Sequence, residues 1–297
     1  MSAMSDRDNN VRVLSAPPSA RDSMLGGLQS LRRRASVPLV LPDTVLQLDR
    51  QRLEPRRIAA YAKLCGFSPD QGVPATFPHM LGFPLHMALL LEPAFPYPLI
   101  GLVHLANTIR QHEALRAGET LDVAVRFGEP LHHDKGQAFT VLTEMRRGGD
   151  TVWESGSTYL RLGVRQAEGQ PVPPPPVGPQ PLAVAGRWRQ PRSIGPRYAA
   201  VSGDRNPIHT SRLGARLLGF RSPIAHGMWM LAKSAAALLP ETPVRTAEIE
   251  VAFRAPAFLP GSALLLATQR QTGTLFELRN GRAEQLHLRG LLRAEAA

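Results

Sequence analysis

The stretch "FRSPIAHGMWMLAKSAAALL", Phe220–Leu239, followed by "TAEIEVAFRAPAFL", Thr246–Leu259, decides the fold. The first string has Pro223 and a polar turn ahead of a long apolar run, which predicts a buried helix. The second alternates apolar and polar residues as a strand does. Three more strand-like strings follow: "SALLLATQRQ" (262–271), "TLFELRNG" (274–281) and "EQLHLRGLLR" (284–293). "LRNGR" between the last two is a hairpin-turn signal. One helix followed by a run of antiparallel strands predicts an α+β fold, with the helix packed on one sheet face.

The same order occurs upstream. An apolar helical string at Phe83 leads to "ETLDVAVRFGEPL" (119–131), "QAFTVLTEMRR" (137–147) and "TVWESGSTYLRLGV" (151–164). Short strings also echo across the halves. "YAKLCGF" at Tyr61 answers "YAAVSGD" at Tyr198, "FPLHMALLL" answers "PIAHGMWML", and "RAGETLDVAVRF" answers "LPGSALLLATQR". The offsets are 137 for Tyr61 to Tyr198, 140 for His86 to His226 and 143 for Gly118 to Gly261. Three echoes in one order imply a tandem duplication of one domain rather than a solenoid.

Composition sets the divisions. Residues 1–36 end in "LRRRAS", carry no sustained apolar period and read as a mobile arm. Asp6, Asp8 and Asp22 argue against an organellar transit peptide. A proline-rich linker, 169–181, contains "PVPPPPVGPQP"; prolines exclude it from helix and sheet interiors. The units are therefore 37–168 and 182–297. No apolar run reaches the roughly 20 residues needed to span a bilayer. The N-terminus lacks a secretory pattern. One cysteine, Cys65, excludes an internal disulfide and any cysteine-rich metal site. A soluble protein of a reducing, bacterial cytoplasm is the expectation, with the arginine bias attributed to a GC-rich genome. The net charge of +11 favours anionic partners. No nucleic-acid-binding motif accompanies it, and the arginines are scattered.

Chemistry concentrates in "SGDRNPIH", Ser202–His209, and in the helix start "PIAHGM", Pro223–Met228. Gly203 permits a helix C-cap and Pro207 keeps Asn206 extended, so Asp204, Asn206 and His209 fall on a loop. A carboxylate and an imidazole aimed at one spot hold and deprotonate a water at neutral pH. Gly227 opens the apolar helix, where backbone N–H groups are unpaired and the dipole is positive. Its amide is a candidate oxyanion donor. Each residue also has a plain structural reading: Asp204 as a turn acid, His209 as a loop histidine, His226 as a buried histidine bonded to backbone. A three-ligand metal site of Asp204, His209 and His226 is a further alternative, disfavoured by its loose spacing.

"SGDRNPIH", then "GFRSPIAHGM" and "VAFRAPAFLPG", resemble the MaoC-like, (R)-specific enoyl-CoA hydratases of the hot-dog fold, over most of residues 182–295. "TFPHMLGFPLHMALL" and "FPYPLIGLVHLANTI" resemble the degenerate first repeat of two-domain members. The resemblance implies a tandem hot-dog, each sheet wrapped around a central helix. It implies that Asp204 and His209 activate the catalytic water, that Asn206 orients, and that the Gly227 amide takes the thioester carbonyl. Pro223, Ile224, Ala225, His226 and Met228 are then candidates to line the substrate, and Arg254 to meet a phosphate of coenzyme A or phosphopantetheine. A plain surface arginine is the competing view of Arg254. Phe83, Met87 and Leu89 are candidates for an acyl tunnel, against ordinary core packing. The family's serine on the central helix falls here at Ala235, with Ser234 adjacent. Phe67 stands where Asp204 stands in the second copy, and Asp70 reads as a loop acid, so one active site per chain follows.

The implied reaction is reversible hydration of trans-2-enoyl thioesters to (R)-3-hydroxyacyl thioesters, on coenzyme A or an acyl carrier protein. Neither a metal nor another cofactor is expected, nor a nucleic-acid or membrane partner, and a homodimer is allowed. The alternatives are a hot-dog acyl-thioesterase and a non-catalytic acyl-thioester-binding protein.

Overall fold

The computed structural model describes residues 10–19, 25–27, 29–33, 39–175 and 181–297. Its two units repeat one order: a strand, a helix, a connecting loop, a second helix and four strands. The first unit comprises β2 (Val45–Arg52), α1 (Pro55–Cys65), α2 (His79–Leu91), β3 (Leu102–Gln111), β4 (Thr120–His133), β5 (Gly136–Arg147) and β6 (Asp150–Leu162). The second comprises β8 (Ala183–Gln190), α3 (Ile194–Ser202), two short helices α4 (Pro207–Thr210) and α5 (Arg212–Leu217), α6 (Gly227–Leu238), β9 (Val244–Phe253), β10 (Gly261–Arg270), β11 (Gly273–Asn280) and β12 (Leu286–Ala296). Two short strands, β1 (Val11–Val13) and β7 (Gln170–Pro171), attach to the first unit.

All strands join one sheet, in the order β1-β2-β4-β5-β6-β3-β9-β12-β11-β10-β8, with β7 on β4. The two halves of that order mirror each other about the β3–β9 seam, where Ile109 faces Ile249 in antiparallel register. Alternation produces the sheet's inner face: β4 buries Leu121, Val123, Val125 and Phe127 at every second position. α2 and α6 bury Leu85, Leu89, Met230 and Leu231 in one core that runs through both units. Side chains also cross between units, with Gln71 donating to the Pro240 carbonyl (2.9 Å) and Gln111 to that of Val244 (2.9 Å). This is the tandem hot-dog of the α+β reading. No helix among the described residues is long and apolar enough to cross a membrane.

Three expectations need correction. The echo pairing His86 with His226 is out of register: α2 begins at His79 and α6 at Gly227, so His86 lies two turns inside its helix. The shift arises because the loop before α6 is 24 residues (203–226), against 13 (66–78) before α2. The arm is not wholly mobile. β1 pairs with β2, and the Arg33 guanidinium donates to the carbonyls of Leu90, Leu91 and Glu92 at 2.8, 2.6 and 2.9 Å. These are the unpaired carbonyls of α2's last turn, which a cation satisfies in both charge and hydrogen bonding. Residues 1–9, 20–24, 28 and 34–36 of the arm lie outside the described residues. The linker is anchored at its start, where Gln170–Pro171 lies parallel to β4 and Val172 donates to the His132 carbonyl (2.9 Å). Its residues 176–180 are likewise outside those described.

Candidate active site

The site is built on the long loop of the second unit. α3 ends at Gly203, whose φ of 83° is open to glycine without strain. The chain then turns on its own side chains. The Asn206 N–H donates to Asp204 Oδ1 (3.1 Å), and Asn206 Oδ1 accepts from Ile208 N–H (3.2 Å) to cap α4. Asn206 thus holds the loop, with its side chain committed to the cap. His209, on α4, is packed against α3: a Cβ on Gly195 would lie 2.0 Å from the His209 carbonyl oxygen.

His209 Nδ1 lies 2.8 Å from the Ile224 carbonyl, which only accepts, so Nδ1 carries the hydrogen and Nε2 the lone pair. That lone pair is 4.0 Å from Asp204 Oδ2. The gap is too long for a direct bond and suits one oxygen atom bonded to both. His226 precedes α6 and donates from Nε2 to the Asp204 main-chain carbonyl (3.1 Å). Its ring stacks on that of His209, with centroids 3.7 Å apart, and meets Tyr198 at 4.9 Å.

Electrostatics place these groups in complementary states. Burial would raise the Asp204 carboxyl, but His226, His209, the Asn206 N–H and His104 together hold it below its ordinary value. Burial lowers His209, opposed only in part by Asp204 and the Ile224 carbonyl. Burial also pushes His226 down to about 3, reinforced by His209. A carboxylate beside a neutral imidazole with a free lone pair is the resting state of a general base.

Asp204, His209 and His226 bring their ligand atoms within 4.8 Å of one another. They do not form a good metal cradle. The two imidazoles stack at an interplanar angle of 25°, so their in-plane lone pairs run side by side instead of converging.

α6 supplies the second element. His226 is its N-cap and gives no side-chain cap. The first main-chain bond is Met230 N–H to the His226 carbonyl (3.1 Å). Among the described residues nothing accepts from the Gly227, Met228 or Trp229 N–H, which leaves them for a ligand oxygen. A Cβ on Gly227 would stand 2.9 Å from the Phe253 ring, so only glycine leaves both in place.

The remaining candidates divide. Pro223, Ile224 and Ala225 form a strut: their backbone bonds to Leu259 (2.7 Å), Ile208 (3.0 Å) and Ala257 (2.8 Å) fix the approach to α6. Met228 is buried in the core. Ser234 donates to the Met230 carbonyl of its own helix (2.9 Å), and Ala235 is buried. Arg254 is exposed at the end of β9 and lines a cavity of about 220 Å³ with His132, His133 and Pro171–Pro175. Phe83 and Met87 are half-buried on α2, and Leu89 is fully buried core. Phe67 follows the C-cap Gly66 as Asp204 follows Gly203, and stacks on Tyr61 instead of meeting solvent.

Reading the chain alone missed the contribution of the first unit. His104 meets Phe253 at 4.9 Å and stacks on Tyr159 at 5.0 Å, and burial lowers the pKa of both His79 and His104, opposed only in part by Asp204. The signal was a pair of histidines, His79 and His104, inside apolar strings.

The chain is similar to several known proteins. The MaoC like domain family matches residues 177–288. The 3-hydroxyacyl-thioester dehydratase X of Mycobacterium tuberculosis is 34% identical over 280 residues, 90% of this chain and 98% of its own. A crystal structure of HtdX from Mycobacterium tuberculosis aligns with a TM-score of 0.71 at 30% identity, over 84% of this chain and 100% of that one. A MaoC-like dehydratase from Phytophthora capsici shares the fold, with a TM-score of 0.71 at 16% identity over 90% of this chain and 97% of its own.

Proposed function

The chain belongs to the MaoC-like dehydratases, and from that premise we propose that it interconverts trans-2-enoyl and (R)-3-hydroxyacyl thioesters by adding or removing water. The observation that carries this reading is the 4.0 Å gap between Asp204 Oδ2 and the His209 Nε2 lone pair, beside the open N–H groups of α6. In the hydration direction a water between the two groups gives a proton to His209 Nε2 as its oxygen bonds to C3. The C2=C3 electron pair shifts toward the thioester oxygen, where the Gly227 N–H stabilises the growing charge. The proton then returns at C2, and Asp204 orients the water and offsets the transient imidazolium. Dehydration runs the same steps backward.

No bound cofactor enters this chemistry. The acyl group arrives on coenzyme A or on the phosphopantetheine arm of a carrier protein, and the basic chain attracts either anionic carrier. The test is loss of enoyl absorbance when the purified protein meets trans-2-enoyl thioesters of several chain lengths, crotonyl included, on both carriers. Hydration of at least one is expected. Release of free thiol without hydration would support a thioesterase, and no turnover at any chain length would defeat the enzyme reading.

A further inference from the structure

The first unit carries two buried histidines, His79 and His86, and a partly buried third, His104. His79 opens α2, His86 stands two turns later and His104 lies on β3. His79 and His86 are 2% and 0% exposed. His86 is fully used: Nε2 lies 2.6 Å from Thr143 Oγ1 and Nδ1 3.3 Å from Tyr159 Oη. It fixes α2 against β5 and β6.

His79 and His104 are different. His79 Nδ1 and His104 Nε2 are buried and have no partner among the described residues. Their rings lie 6.4 Å apart and nearly parallel, at 17°. His104 stacks on Tyr159 (5.0 Å) and meets Phe253 (4.9 Å), while Phe253 packs directly on Gly227. A continuous wall thus runs from the oxyanion amide through Phe253 to His104 and His79. The link to the base pair's neighbourhood is Phe253, which touches both His104 and the Gly227 end of α6. Burial lowers His79 to about 4 and His104 to about 3, so both rings are neutral, each with one donor and one acceptor.

A thioester held at Gly227, with C3 at Asp204 and His209, sends its chain along this wall. Both nitrogens are already sealed from water without a partner, which is costly, and a plain hydrocarbon chain would leave them so. We propose that His79 and His104 form a polar subsite that takes a hydroxyl or carbonyl oxygen carried on the acyl chain beyond C3. The enzyme then selects oxygenated acyl thioesters over plain alkyl ones. This rests on the hydratase reading, since that reading places the chain.

The experiment compares trans-2-hexenoyl coenzyme A with its 5-hydroxy analogue in wild type, His79→Phe and His104→Phe. Sites built to bond a substrate hydroxyl discriminate strongly against analogues lacking it. The expected result is a kcat/KM preference of at least about tenfold for the hydroxylated substrate in wild type. In each folded variant, as judged by thermal melting, that ratio should fall toward one. No preference in wild type, or an unchanged ratio in both variants, overturns the proposal. Calorimetric binding of hexanoyl and 5-hydroxyhexanoyl coenzyme A to wild type decides the same point without chemistry or folded variants. Tighter binding of the hydroxylated ligand supports the subsite and equal binding refutes it. Absence of hydration of either enoyl substrate would count against the hydratase reading alone.

Discussion

The loop 66–78 and the loop 203–226 join equivalent helices in the two units, yet they end differently. In the first unit the Met80 and Leu81 N–H groups are tied to the carbonyls of Phe77 (2.9 Å) and Pro78 (2.8 Å), and the loop packs Phe67 inward. In the second unit the longer loop carries Asp204, Asn206 and His209, and α6 opens with free amides. Both arrangements support the same sheet and the same buried helix. The first unit thus builds its sheet and buried helix without the polar loop and open helix start that mark the second.

Acid should break the comparison most severely, because it strikes both copies. His79, His104 and His226 are held neutral at about 4, 3 and 3, whereas an unfolded histidine titrates near 6.5. Below that value the unfolded chain binds protons that the folded one refuses. Stability present above pH ~6.5 is then lost progressively as pH falls toward the folded values. The three shifts act in the same direction, so a loss on the order of a few kcal/mol is expected by pH ~5. Denaturant titrations across this range should show the loss, and a flat profile between pH ~7 and ~5 would contradict the burial of these rings.

Next in size are substitutions at the proposed water-activating pair. Asp204→Asn or His209→Ala should lower crotonyl thioester hydration by ~10²–10⁴. Their thermal transitions should stay close to wild type, since the first unit folds with Phe67 in the place of the acid. A large drop in melting temperature would mean that the polar loop is structural after all.

Gly227→Ala sharpens the contrast between the helix starts, since α2 begins with a residue that bears a side chain. The new Cβ must displace the Phe253 ring, and the amide with it. Hydration should fall about 10²-fold, the usual result of a misplacement of about 1 Å. Unchanged kinetics would remove the amide from the mechanism.

The smallest effect belongs to Arg33→Ala. It uncaps the C-terminal turn of α2, a support provided by the arm. A stability loss of about 1–2 kcal/mol with wild-type crotonyl hydration is expected, measured by denaturant melts alongside the assay.

How far the sequence could be read depended on whether a feature leaves a local signature. The strands β4, β9 and β11 announce themselves by alternation, and Asp204, Asn206 and His209 stand out as polar residues in a tight turn. The histidines of the first unit have no such spacing: a helix start, its second turn and a strand bring them together only through packing. The misregistered echo of His86 followed from counting across a loop whose lengths differ between copies. Arg33 was invisible because its partners are backbone carbonyls, which every residue has.

The β3–β9 seam has one last consequence. In a symmetric pair of identical chains, every substitution appears on both sides of the central seam at once. Here the two sides are encoded separately, so each can change without the other. On the proposed reading, that separation lets turnover and selectivity be adjusted independently within a single polypeptide.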